Sequence, residues 1–131
     1  MFEKYMICTR GFKNVSGRGE TTGFQLKVRI TYYRGIPLSC VEGFDVTVDG
    51  ETFPRDKVTF SVGSPSFPLT QMGDVVDVRW PFGDRVTLTI SKPGGLKPGI
   101  HDIEMVETLR ISYMPNSTSI AMARRKVTLV I

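Results

Sequence analysis

With 131 residues, 40% of them apolar and 23% charged, the chain is most simply one domain spanning 1–131, large enough to bury a core without staples. A formal charge of +4 is too mild to point by itself to nucleic acid or a membrane surface. Two cysteines, Cys8 and Cys40, are too few for a disulfide framework and too far apart for a zinc clip. Both are expected as free, partly buried thiols of a reducing compartment.

The chain begins MFEKYMICTRGF, with charges at Glu3 and Lys4 and no apolar run of signal-peptide length. No stretch reaches the length of a membrane span. The expected compartment is the cytoplasm, where the sequon Asn116-Ser117-Thr118 would meet no glycosylation machinery.

Period-two alternation then dominates. FQLKVRITYY sets Phe24, Leu26, Val28, Ile30 and Tyr32 on one face and Gln25, Lys27, Arg29, Thr31 and Tyr33 on the other. FDVTVDGETF carries Phe44, Val46 and Val48 on one side before Asp49-Gly50, a strong hairpin signal. Strands follow at 58–62, 75–80 and 85–90, the last two expected to be joined across the turn Pro81-Phe82-Gly83-Asp84. KVTLVI closes the chain at 126–131. The pair Val-Thr recurs at 46, 58, 86 and 127 at irregular spacing, so it is no repeat. Each copy reads as a strand with valine inward and threonine outward.

Residues 100–113 allow two readings. Ile100, Ile103, Val106 and Leu109 fall three apart, as on a helix, whereas Ile103, Met105, Leu109, Ile111 and Tyr113 share a strand face broken by Glu107. No good N-cap follows Pro98-Gly99, which favours one or two strands. Seven or eight short strands with Gly/Pro turns predict an all-β, single-domain antiparallel β-sandwich, with a small β-barrel as the alternative.

Few groups here could carry chemistry. His101 is the only histidine, and its neighbour Asp102 faces the other way on a strand, so adjacency makes no dyad. A surface or rim histidine is expected, with the edge of an active site as the other reading. The acids Asp102, Glu104 and Glu107 do not converge on a strand and read as a solvated face, so no metal site is expected. KPGGLKPG (92–99) reads as a turn, because Pro93 and Pro98 remove backbone donors from any phosphate cradle. Lys27, Arg29 and Tyr33 with the run Arg124-Arg125-Lys126 leave a single-stranded nucleic-acid-binding barrel open, and Trp80, Tyr32, Tyr33 and Tyr113 leave a carbohydrate-binding module open. Two loops carry soft apolar side chains: Phe67, Leu69 and Met72 in SPSFPLTQM, and Tyr113-Met114-Pro115 with Ile120 and Met122 around 116–119. Such side chains either fold back as lids over the sandwich ends or face a partner.

The segments YYRGIPLS (32–39), VTVDGE (46–51), DVRWPFGD (77–84), KPGGLKPG (92–99) and LRISYMP (109–115) together resemble the small β subunit of bacterial C-glycoside deglycosidases. The likeness covers roughly residues 1–115, and its segments are turns and strand ends with no catalytic signature among them. The resemblance implies a hetero-oligomer with a larger TIM-barrel α subunit, similar to sugar-phosphate isomerases, which holds a divalent metal such as Mn²⁺ and the catalytic base. It implies a carbon–carbon lyase acting on 3-oxo-C-glycosides, for example of flavonoids, in which this chain carries no cofactor and no catalytic residue of its own. On that reading Tyr113, Met114, Pro115, Phe67, Leu69 and Met72 are expected to face the partner, and His101 is the candidate edge of the active site.

Overall fold

The computed structural model describes residues 6–30, 36–62, 66–74, 78–80, 85–110 and 118–129. Eleven strands are seen in them: β1 (Lys13–Gly17), β2 (Glu20–Arg29), β3 (Ile36–Pro37), β4 (Val41–Val48), β5 (Glu51–Phe53), β6 (Val58–Ser61), β7 (Ser66–Pro68), β8 (Arg79–Trp80), β9 (Arg85–Ser91), β10 (Gly99–Arg110) and β11 (Thr118–Leu129). All pair antiparallel. One sheet has the order β1-β2-β9-β6-β7, a second the order β11-β10-β4-β5, and β3 pairs with β8 in a small third. The two large sheets keep open edges, so the architecture is a sandwich and not a closed barrel.

The alternation supplies the core. Phe24, Leu26, Val28 and Ile30 of the β2 segment are buried, as are Phe44, Val46 and Val48 of β4. Each Val-Thr pair turns its valine inward. Rings meet between the sheets: Phe24 on β2 stands edge-on to Phe53 on β5 with centroids 5.4 Å apart, and Phe44 on β4 lies 6.0 Å from Phe60 on β6. Such contacts lock the relative position of the sheets beyond the burial they provide.

Strand geometry prevails at 99–110. His101, Ile103, Met105, Glu107 and Leu109 are all buried while alternate residues face outward, which is period two and not three. Two tight turns use positive φ where the hairpins require it: Arg18 at 53° with Gly19 at 79°, and Asp49 at 50° with Gly50 at 87°.

Of the strand expected at 75–80, residues 75–77 lie outside the described residues, as does the turn expected at 81–84. Arg79–Trp80 pairs with Ile36–Pro37 and not with the strand that begins at Arg85. Both edges of β9 are already taken by β2 and β6, so no ladder is left for β8. Trp80 is instead driven into the core, 5.3 Å from Phe60 and 5.8 Å from Phe44.

Candidate functional site

His101 is not at the surface, as expected from its sequence, but buried on the inner face of β10, with 8% of its area exposed. Its Nδ1 lies 2.6 Å from Asp49 Oδ2 and its Nε2 lies 2.6 Å from the Lys97 carbonyl. Phe12 packs edge-on against the ring at 5.9 Å. Asp49 is held in turn, because its Oδ1 accepts from the Asp102 N–H at 2.8 Å and its own N–H donates to the Asp102 carbonyl at 2.8 Å. Burial opposes the charged imidazole, but the Lys97 carbonyl and the Asp49 carboxylate outweigh it and raise the His101 pKa. The Asp102 N–H, followed by His101, lowers that of Asp49. With both nitrogens engaged, this side chain acts as a tie between the β4–β5 turn, the Lys97 loop and β10.

The acidic run divides as strand geometry requires. Asp102 and Glu104 face outward and share Arg124, whose Nε donates to Asp102 at 3.0 Å and whose Nη1 lies 3.4 Å from Glu104. Arg124 lowers the Asp102 pKa. Glu107 departs from the expected solvated face, because the same alternation buries it completely between the sheets. Among the described residues, no three His, Cys, Asp or Glu side chains stand close enough to hold a metal ion.

The residues expected to face a partner separate. Tyr113, Met114, Pro115 and the side chain of Met72 lie outside the described residues. Leu69 is a correction, because the turn after β7 folds it back into the core of its own chain, leaving it 5% exposed. Phe67 on β7 is half-buried against the same core. Trp80 is wholly buried and offers no stacking platform for a sugar.

Ile120 and Met122, by contrast, are 65% and 71% exposed. They point outward from β11, opposite Thr108 and Val106 of β10 in the register. Met122 and Val106 border a shallow hollow of about 280 Å³ that also touches Asp45, Thr47, Glu104 and Arg124. The flanking residues Ala121 and Ala123 turn inward, which is why two apolar side chains of one short stretch reach water. They are not lids. At one end of the sandwich lies a second hollow, of about 420 Å³, lined by Cys8, Thr9, Arg10, Arg29, Arg85 and Arg125. Its residues come from four distant parts of the chain, and of its arginines only Arg29 and Arg125 had drawn notice in the sequence. Both cysteines are buried and free, as expected from their number.

An open-edged sandwich with apolar side chains on an outer face suits a subunit. Comparison with known proteins agrees, because the profile of the C-glycoside deglycosidase beta subunit family matches residues 2–113. The chain belongs to this family. A relative from Eubacterium cellulosolvens named C-glycoside deglycosidase beta subunit is 35% identical over 114 residues, 86% of this chain and 78% of the relative. A Microbacterium protein named 3'-dehydrocarminate deglycosidase beta subunit is 30% identical over 97 residues, 73% of this chain and 72% of its own length. An Arthrobacter globiformis C-glycoside deglycosidase beta subunit is 25% identical over 104 residues, 79% of each chain. The family match stops before β11, so Ile120 and Met122 lie beyond it.

Proposed function

We propose that this chain is the accessory subunit of a cytoplasmic, heteromeric C-glycoside deglycosidase, and that its partner is a TIM-barrel α subunit holding a divalent metal and the catalytic base. The observation that carries this reading is the family match over residues 2–113. Among the described residues of this chain no His, Cys, Asp and Glu side chains group to form a metal site, and the metal is assigned to the partner. The substrate is a C-glycoside already oxidised to a ketone at the sugar 3-position. The ketone acidifies the proton on C2; a base removes it, a C1–C2 double bond forms, and the aryl carbon leaves C1 and takes up a proton. A glycosidase acid has no bridging oxygen to protonate in such a bond, which is why activation by the adjacent ketone is needed.

The role assigned to this chain is to pack against the α subunit and brace the loops around the aglycone pocket. Its partner-facing surface is formed by Tyr113, Met114, Pro115, Phe67 and Met72, extended by the exposed Ile120 and Met122. Leu69 is omitted because it serves its own core, and His101 supports the fold from within. The test is reconstitution of the purified α subunit with and without this chain, on a 3-oxo-C-glycoside. Turnover that requires both chains is expected. An α subunit equally active alone would overturn the reading.

A further inference from the structure

The arginine hollow is built in a way that costs stability. Arg29 ends β2 and Arg85 opens β9, and the register sets them directly opposite one another. Like charges in that arrangement repel. Arg125 arrives from the other sheet, where its Nη1 donates to the Ile7 carbonyl at 3.0 Å. Arg10 completes the wall from the segment before β1. Among the described residues, none of these four arginines takes part in an ion pair, whereas Arg55, Lys92 and Arg124 each have a carboxylate. The chain does pair its cations elsewhere, so the bare cluster is a local property.

The floor of the hollow is firm. The Cys8 N–H donates to the Lys27 carbonyl at 3.0 Å and the Arg29 N–H to the Met6 carbonyl at 2.9 Å, and Ile7 bridges to Val28. Among the described residues, no carboxylate lines the hollow. Burial raises the pKa of the Cys8 thiol against the pull of Arg29, Arg85 and Arg125, so the wall presents no thiolate either. The planar guanidinium fork can bond two oxygens of a carboxylate or a phosphate at once. The volume of about 420 Å³ is that of a small-molecule site.

We propose that this hollow is an anion site that takes the phosphate or carboxylate group of a small molecule. The claim does not depend on the deglycosidase reading and is tested on the full chain alone. Inorganic phosphate and citrate are titrated by calorimetry, with sodium chloride holding the ionic strength constant. One saturable site is expected, together with a rise in Tm. Arg29→Gln/Arg85→Gln is expected to weaken it by about tenfold or more. Without phosphate that variant should melt no lower than the parent, because a repulsive pair has gone. Arg125→Gln, changed in the opposite sheet, should weaken binding as well.

Phosphate and citrate acting no more strongly than chloride at equal ionic strength would overturn the proposal, as would unchanged affinity in both variants.

Discussion

The Asp49–His101 contact couples stability to pH in a direction that can be worked out. His101 has its pKa raised in the folded chain, so its contribution is complete below the ordinary histidine value and is lost as pH rises through the folded one. Asp49 has its pKa lowered, so its contribution is present above the ordinary carboxylate value and is lost as pH falls. Thermal unfolding followed from about pH 5.5 to about pH 8.5 should show Tm declining through the raised histidine pKa. Asp49→Asn should flatten that decline; an unchanged slope would mean that the pair does not govern it. Gly23 tests packing with no charge involved. It sits in β2 between β1 and β9, and a Cβ there would collide with the Ile90 carbonyl. Gly23→Ala should cost on the order of 3 kcal/mol in urea denaturation. Gly17→Ala, which meets only Thr22 at 3.6 Å, should cost far less.

Strands that alternate cleanly could be read from their residues. β2, β4, β6 and β9 fall where Phe24–Ile30, Phe44–Val48, Val58–Phe60 and Val86–Ile90 place them, and β10 follows from the same rule despite its helical spacing. β11 could be read only at its end, because it runs from Thr118 to Leu129 and breaks the pattern. Ile120 and Met122 stand on its wet face and Arg125 on its inner one. The β3–β8 pair needs knowledge of which edges are already taken, which no short window of residues contains. The burial of His101 and the arginine hollow escape for a related reason. His101 depends on Asp49, and Arg10, Arg29, Arg85 and Arg125 meet only through the topology. The exposed pair on β11 has its own test. Ile120→Glu/Met122→Glu should leave the free energy of unfolding within about 0.5 kcal/mol of the parent, as is usual for surface changes. It should weaken the complex with the α subunit by tenfold or more, about 1.4 kcal/mol, as seen in a binding titration. Undiminished binding would place the interface on another face.

For the molecule as a whole, the sandwich offers a double sheet with Ile120 and Met122 exposed on an outer face, and its one histidine is tied into the fold through Asp49 and Lys97. Family membership names a beta subunit of a C-glycoside deglycosidase, and the accessory role beside a metal-bearing barrel is the proposal. The most direct test is to tag this chain, purify it from its native host, and determine the mass and metal content of what elutes. A stable companion of barrel size carrying a divalent metal is the expected result. A bare 14.6 kDa monomer would contradict it.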